Sequence, residues 1–177
     1  MKKKIGTVWL GGCSGCHMSL LDIDERILDV AALADIVKSP IVDGKEFPEV
    51  DIAIVEGAVV NDEHLREARH IRKQSKILIA LGDCAVSGNV PSYRNRVTKE
   101  EALKRAYVEA ESNDSGVIPD SPQLGKLLDR VRPLHEVVKV DYYLPGCPPS
   151  ADLIFYVLAE LLNGRVPVLD KEKVKYG

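Results

Sequence analysis

The chain has 177 residues, of which 45% are hydrophobic and 29% charged, a balance that is ordinary for a globular protein. We therefore expect residues 1–177 to form one domain with a real core, ending from about residue 165 in a tail that is flexible or bound to a partner. The net charge of −3 argues against nucleic acid as a partner. No apolar run approaches the roughly 18–20 residues of a membrane span, so we predict a cytoplasmic protein that does not enter the membrane.

Apolar periodicity predicts strands that alternate with helices along the chain. Two of the strands, at 51–55 and 76–81, are continuous apolar runs, which is typical of strands covered on both faces of a parallel sheet. Pro40 interrupts the strand at 35–42 and indicates an edge position. The predicted strands are 4–10, 35–42, 51–55, 76–81 and 137–144, and the predicted helices are 17–34, 62–73, 99–109, 124–130 and 151–163.

Capping residues mark several of these helix ends. Asn61 or Asp62 can cap one helix, Thr98 and Glu101 form a capping box for another, and Ser150 can cap the last. Because strands alternate with helices, we predict an α/β fold with a doubly wound, mostly parallel sheet of flavodoxin-like strand order.

Four cysteines stand out, and two of them share a glycine-rich loop directly after the first predicted strand. Cys13 and Cys16 lie in this loop between Leu10 and His17, just before the first predicted helix. Glycines let the backbone turn tightly and approach a bulky ligand closely. The positive end of the following helix is expected to lower the pKa of these thiols and to favour the thiolate, the form that binds metal.

The other two cysteines follow later strands. Cys84 and Cys147 each come a few residues after a predicted strand, and Glu56 ends a third one. In a parallel sheet these strand ends lie at the same edge, which is where such folds bind ligands. We therefore expect the four cysteines to meet at this edge, with Glu56 beside them.

Four thiols in a reducing compartment indicate metal or redox chemistry rather than disulfides. An iron–sulfur cluster suits ligands that arrive from several directions, each beside glycine or proline. A zinc site normally uses two closely spaced pairs, whereas here only Cys13 and Cys16 are close in sequence. A thioredoxin-like dithiol leaves Cys84 and Cys147 without a role. The spacing favours the cluster and leaves the other two interpretations open.

The residues around these cysteines resemble the small subunit of [NiFe] hydrogenases, and the resemblance covers nearly the whole chain. The short length and the stretch from Cys16 to Asp24, CHMSLLDID, are most similar to the soluble NAD-reducing, or bidirectional, branch of that family. The matching motifs are Gly12-Cys13-Ser14-Gly15-Cys16-His17-Met18-Ser19, Glu56-Gly57-Ala58, Gly82-Asp83-Cys84-Ala85 and Pro145-Gly146-Cys147-Pro148-Pro149.

The resemblance implies an electron-transfer subunit of a hydrogen:NAD⁺ oxidoreductase. Cys13, Cys16, Cys84 and Cys147 match the family's ligands of the proximal [4Fe–4S] cluster, and the sequence has no further cysteine for a second cluster. In that family the large subunit holds the Ni–Fe centre, and flavin and iron–sulfur diaphorase subunits pass electrons to NAD. The alternative is a one-cluster small subunit of a membrane-bound hydrogenase or a quinone oxidoreductase of the same ancestry. The related respiratory subunit carries adjacent cysteines, so the spacing here argues against the quinone-linked branch.

The resemblance also gives Glu56 a candidate catalytic role. The matching glutamate of related hydrogenases lies near the proximal cluster, so we expect Glu56 to relay protons or to act as an alternative iron ligand. A capping or salt-bridge role is the competing interpretation. We expect His17, Met18 and the irregular excursion from Gly88 to Pro122 to face the large subunit, while the Ni–Fe centre, flavin and NAD lie only in partner subunits.

Overall fold

A computed structural model of the chain describes residues 2–170, 173 and 174. The strands are β1 (Lys3–Trp9), β2 (Ala34–Lys38), β3 (Val50–Glu56), β4 (Val59–Asn61), β5 (Ser75–Leu81), β6 (Leu127–Arg132) and β7 (Tyr142–Leu144). The helices are α1 (Gly15–Leu21), α2 (Ile27–Leu33), α3 (Asp62–Gln74), α4 (Gly82–Ser87), α5 (Lys99–Tyr107) and α6 (Ala151–Leu162). The predicted tail from residue 165 lies partly outside the described residues.

The main sheet has five parallel strands in the order β2-β1-β3-β5-β7. This is the flavodoxin-like order, so the predicted doubly wound α/β fold is confirmed. β2 lies at one edge of the sheet, as the proline after it indicated. The order reverses between β1 and β3, and the ends of these two strands carry the first cysteine loop and Glu56.

The alternation of side chains in β3 shows why this strand is a continuous apolar run. Ile52 and Ile54 pack into one core with residues of α2 and α6, while Ala53 and Val55 pack into a second core with α3. Because successive side chains of a strand point to opposite faces, both faces must be apolar when helices cover both. Within the described residues, no helix has the length and apolar character needed to cross a bilayer.

The predicted helix over 17–34 is wrong as a single element. Helix α1 ends at Leu21, a 3₁₀ turn occupies Asp24–Arg26, and α2 follows from Ile27. The break lies at Asp24, whose φ of 54° is a left-handed conformation that aspartate tolerates better than most residues. The helical apolar spacing continues through the break because the buried side chains on both sides of it pack against the same core.

Three further element predictions are wrong in type or extent. The strand predicted over 35–42 ends at Lys38, because the chain turns at Pro40. The segment over 124–130 is not a helix, because Leu127–Arg132 forms strand β6 and pairs antiparallel with β4. The last strand begins at Tyr142 rather than at 137, since the Asp141 carboxylate accepts a hydrogen bond from the Leu78 backbone N–H at 2.9 Å and Arg72 donates to the same oxygen.

The predicted helix caps are confirmed. Asn61 accepts a hydrogen bond from the backbone N–H of His64 at 2.7 Å, and the Ser150 hydroxyl accepts one from Leu153 at 3.3 Å. The capping box that opens α5 is complete, with both of its reciprocal hydrogen bonds present. These ends were predictable because a cap depends on neighbours in sequence rather than on tertiary contacts.

Candidate functional site

The four cysteines lie at the carboxyl-terminal edge of the parallel sheet, as predicted. Cys13 and Cys16 follow β1, Cys84 lies in α4 directly after β5, and Cys147 follows β7. Cys16 is buried, Cys84 is half-buried, and Cys13 and Cys147 are exposed. The site therefore has an inner side formed by the sheet and an outer side that opens at the surface.

Gly82 makes room for the sulfur of Cys16. A Cβ atom built on Gly82 would lie only 2.2 Å from Cys16 Sγ, and the φ of +79° at Gly82 is a conformation that favours glycine. The glycine thus brings the backbone at the start of α4, and with it Cys84, close to the cysteine of α1. The position of Gly82 directly after an apolar strand indicated a close approach to its backbone. The sequence did not show that Cys16 is the residue that approaches it.

Burial and mutual repulsion dominate the protonation of the two inner thiols. Burial is the largest cause that raises the pKa of Cys16, followed by the charges of Glu56, Cys84, Cys13 and Cys147. Burial raises the pKa of Cys84 to about 11, and the charges of Cys147 and Cys13 add to it. The prediction that a helix N-terminus lowers the pKa of these thiols is wrong for Cys16, because desolvation and neighbouring anionic groups outweigh the helix dipole.

Asp83 joins the Cys84 helix to the Cys147 loop. Its carboxylate Oδ1 accepts a hydrogen bond from the Gly146 backbone N–H at 2.7 Å, and its own N–H donates to the Gly146 carbonyl at 2.9 Å. A second link runs from the Asn89 side-chain amide, which donates to Cys147 Sγ at 3.5 Å. The Asn89 contact was not predictable, because nothing in the sequence relates a residue after α4 to a loop 58 residues further along.

Glu56 is fully buried, with 2% of its surface exposed, and its hydrogen bonds go to His17. The backbone N–H of His17 donates to Glu56 Oε2 at 2.7 Å, and the ring Nδ1 of His17 lies 2.5 Å from the same oxygen. Glu56 is also near enough to the thiols for its charge to raise the pKa of Cys16 and of Cys84. It therefore holds the first turn of α1, one residue from Cys16, a contact that the sequence did not reveal.

His17 is buried beside Glu56 and does not lie at the solvent surface. Its ring packs edge-to-face on Trp9, with the ring centroids 5.4 Å apart. Among the described residues, neither its Nε2 atom nor the buried hydroxyl of Thr7 has a hydrogen-bond partner. Both side chains line an apolar cavity of about 510 Å³ between α1, α2 and the sheet.

An exposed apolar surface surrounds this cavity and adjoins the cysteine edge. Trp9, Met18 and Leu21 are 42%, 61% and 50% exposed, although all three are large apolar side chains. The excursion from Gly88 to Pro122 adds further exposed apolar residues, among them Val90 and Tyr93. Apolar patches of this kind on a folded domain usually mark a contact surface for another protein.

Within residues 2–170, 173 and 174, no three His, Cys, Asp or Glu side chains are arranged to hold a single metal ion. The four sulfurs share one edge of the sheet and influence one another's protonation across it.

Comparison with known proteins gives a consistent set of relatives. A family model described as NADH ubiquinone oxidoreductase, 20 Kd subunit, matches residues 13–161. The delta subunit of the NAD-reducing hydrogenase HoxS from Cupriavidus necator is 42% identical over 93% of this chain and 80% of its own length. A subunit of the F420-non-reducing hydrogenase from Methanothermobacter marburgensis is 46% identical over 92% of this chain, which spans only 54% of that relative.

One solved structure matches the chain over its full length. It is a crystal structure of an NAD⁺-reducing [NiFe]-hydrogenase in the H₂-reduced state, and a chain in it is 41% identical with a TM-score of 0.97. The match covers 100% of both chains. The likeness therefore includes the cysteine edge and the excursion as well as the sheet.

Proposed function

Because the chain belongs to the family of NADH ubiquinone oxidoreductase 20 Kd subunits and [NiFe] hydrogenase small subunits, we propose that it transfers electrons within an NAD-reducing [NiFe] hydrogenase. The observation that carries the proposal is the convergence of four cysteines from three strand ends at one edge of the sheet. The full-length likeness to a chain of an NAD⁺-reducing enzyme supports the choice of acceptor.

The donor set fits one [4Fe–4S] cluster held by Cys13, Cys16, Cys84 and Cys147. All four ligands are thiols, and the glycine at position 82 leaves the space that the sulfur of Cys16 occupies. Burial and mutual repulsion raise the pKa values of Cys16 and Cys84, and a cationic metal offsets both effects because it balances the charge of the thiolates. When bound, such a cluster accepts and releases single electrons.

The chain's own residues hold the ligands in place. Glu56 accepts two contacts from His17 and so orients the first turn of α1, which carries Cys16. Asp83 ties the Cys84 helix to the loop of Cys147 through two hydrogen bonds with Gly146. Glu56 remains our candidate for a proton relay or an alternative iron ligand, since it is buried and adjoins the cysteines.

A single cluster needs one partner to deliver electrons and another to remove them. The exposed apolar surface around Trp9, Met18 and Leu21 is the surface we assign to the large subunit, which would hold the Ni–Fe centre. Diaphorase subunits with flavin and further iron–sulfur centres would take the electrons on to NAD. Large apolar side chains at such exposure are typical of an obligate interface, which buries more than about 2,000 Å².

A different electron acceptor is the second candidate. The methanogen relatives, named as F420-non-reducing hydrogenase subunits, are somewhat more similar in sequence, at 46% identity. The chain spans about half of their length, however, whereas it matches a chain of the NAD⁺-reducing enzyme from end to end. NAD is therefore the acceptor we favour, and the membrane-bound or quinone-linked alternative is not favoured.

The experiment is anaerobic purification of the native complex, with analysis of its subunits and metals. We expect a large subunit with nickel and hydrogen-dependent reduction of NAD. Beyond the iron that the partner subunits hold, the complex should contain about four irons per copy of this chain. Stoichiometric zinc in this chain without iron would exclude the cluster. Hydrogen-dependent reduction of another acceptor, in a complex without a flavoprotein, would exclude NAD and leave the cluster assignment intact.

A further inference from the structure

The loop that follows α4 places an amide donor on one of the cysteine sulfurs. Asn89 Nδ2 donates to Cys147 Sγ at 3.5 Å, a normal length for a hydrogen bond to sulfur. In the part of the chain that the structure describes, no other hydrogen bond reaches a cysteine sulfur. The contact also joins the end of the Cys84 helix to the Cys147 loop, so it spans two of the ligand-bearing segments.

The backbone of Asn89 is strained, which indicates that its side chain has a use at this position. Its φ and ψ are 33° and −129°, a left-handed conformation in which glycine would be unstrained and other residues are disfavoured. Strain of this kind persists where the surrounding structure holds it, and it clusters at functional sites. A glycine at this position would relieve the strain but would remove the amide from the sulfur.

Neighbouring hydrogen bonds hold Asn89 in this conformation. Its carbonyl accepts from the Ser92 backbone N–H at 3.0 Å and from the Ser92 hydroxyl at 2.6 Å. Gly88, with a φ of +89°, ends α4 and donates to the Cys84 carbonyl at 3.1 Å. These bonds hold the backbone of Asn89, so its own loop defines the point from which the side-chain amide reaches Cys147.

We propose that Asn89 is a tuning residue, whose amide stabilises the reduced form of the cluster through the sulfur of Cys147. This inference rests on the proposed function, since it requires Cys147 to be a cluster ligand. One-electron reduction adds negative charge that is shared with the cysteine sulfurs, so a hydrogen bond to a sulfur is stronger in the reduced state. Hydrogen bonds to the sulfurs are among the factors that set cluster potentials, and this one raises the potential.

The test uses the complex of this chain with its large subunit, prepared anaerobically with Asn89→Ala, Asn89→Gly or Asn89→Asp. The readouts are iron content and the midpoint potential of the cluster, followed by electron paramagnetic resonance during a redox titration. Asn89→Ala removes the amide but leaves the backbone strain, whereas Asn89→Gly removes the amide and the strain together. Asn89→Asp replaces the amide donor with a charged acceptor of the same shape. The control is Asn163→Ala, because Asn163 is an exposed asparagine at the end of α6, outside the excursion, and its amide donates to the Ala159 carbonyl instead of a sulfur.

We expect full iron content in every variant. The potential should be highest in the wild type, lower in Asn89→Ala and Asn89→Gly alike, and lowest in Asn89→Asp, while the Asn163→Ala control keeps the wild-type potential. For Ala and Gly the reduction equilibrium should weaken several-fold to tenfold, and tenfold corresponds to about 59 mV for one electron. If Asn89→Ala loses iron but Asn89→Gly keeps its iron at a lowered potential, backbone strain at position 89 explains the loss of iron in the alanine variant, and the proposal holds.

Two results would overturn this inference and leave the proposed function standing. One is an unchanged potential in iron-loaded Ala and Gly variants. The other is loss of iron in both, which would make Asn89 a structural residue of the loop. An iron-free wild-type complex would instead overturn the proposed function, and this inference with it.

Discussion

Charged groups are balanced by partners at the amino-terminal end of the parallel sheet and are left unbalanced at its carboxyl-terminal end. At the amino-terminal end, Asp51 is balanced by Lys76, whose Nζ lies 2.7 Å from it, and by the Lys4 backbone N–H at 2.8 Å. These contacts lower the pKa of Asp51, because they stabilise its charged form. At the carboxyl-terminal end, burial and the neighbouring anionic groups raise the pKa values of Cys16 and Cys84.

The difference separates a stabilising surface from a binding site. A charge paired at the surface adds a little stability and needs nothing more. A group of thiols whose negative charges would repel one another is stable only if the thiols stay protonated or bind a cation. The unbalanced end is therefore the one to which we assign the cluster.

Replacing one ligand should abolish cluster binding. In the complex of this chain with its large subunit alone, we expect Cys84→Ala to lose about four irons per copy and most of the visible absorption, because three thiolates cannot complete the site. Iron analysis and the absorption spectrum measure this. Full iron retention in Cys84→Ala would contradict the assignment of Cys84 as a ligand.

Filling the space beside Cys16 should disturb the site without removing a ligand. In Gly82→Ala the added Cβ would meet Cys16 Sγ at 2.2 Å, and the positive φ adds strain, so we expect a loss of about 3 kcal/mol or more and reduced iron content. The matched control is Gly164→Ala, where φ is +74° and the Cβ meets no atom within 4 Å. That variant should cost only about 1–2 kcal/mol and keep its iron. Equal effects of the two substitutions on thermal unfolding and iron content would contradict the crowding at Gly82.

Removing the metal should make the stability of the chain sensitive to alkaline pH. The pKa of Cys84 is raised to about 11 from an ordinary value of 9.0, so the folded chain holds this proton more tightly than the unfolded chain does. The stabilisation is present below pH 9 and is lost as the pH rises toward 11, by about 1–2 kcal/mol once the partial exposure of Cys84 is allowed for.

Thermal unfolding of the iron-free and iron-loaded chain between pH 7 and about pH 10 measures this loss. The loaded chain is the control, because bound iron keeps the thiolates deprotonated throughout. An iron-free chain whose unfolding temperature follows that of the loaded chain across this range would contradict the raised pKa.

Substituting the buried carboxyl should slow turnover and leave the structure intact. Glu56→Gln keeps the shape of the side chain and an oxygen that accepts the hydrogen bond from the His17 backbone N–H. Glutamine has no carboxyl group, so it cannot take up and release a proton. We expect full iron content, an assembled complex, and hydrogen turnover reduced at least about tenfold. Turnover like that of the wild type at every pH would reject the relay, and loss of iron would assign Glu56 a structural or ligating role.

A substitution at the balanced end should have the smallest effect. Lys76→Ala removes an exposed partner of Asp51, so we expect only a small fall in unfolding temperature and unchanged iron content and turnover. A loss of iron comparable with that of Cys84→Ala would show that the two ends of the sheet are not independent.

The sequence alone was sufficient to predict a parallel sheet between helices and the edge where the cysteines meet. Apolar runs such as 51–55 identify buried parallel strands, and the carboxyl ends of parallel strands share one edge, so Cys84 and Cys147 could be placed beside Cys13 and Cys16. Helix caps such as Ser150 were equally predictable. In each case the deciding interaction lies within a short segment or follows from a general rule of sheet topology.

The remaining features depend on contacts between residues that are distant in sequence. Strand β6 is a strand because β4 pairs with it, and the break at Asp24 occurs where the chain turns around a core that α6 helps to form. The partners of Glu56 and of Cys147, namely His17 and Asn89, are 39 and 58 residues away. Periodicity determined which segments are buried and which strand ends meet, while side-chain packing in three dimensions decided which atoms contact each other, because that choice depends on the shape and rotamers of the assembled neighbours.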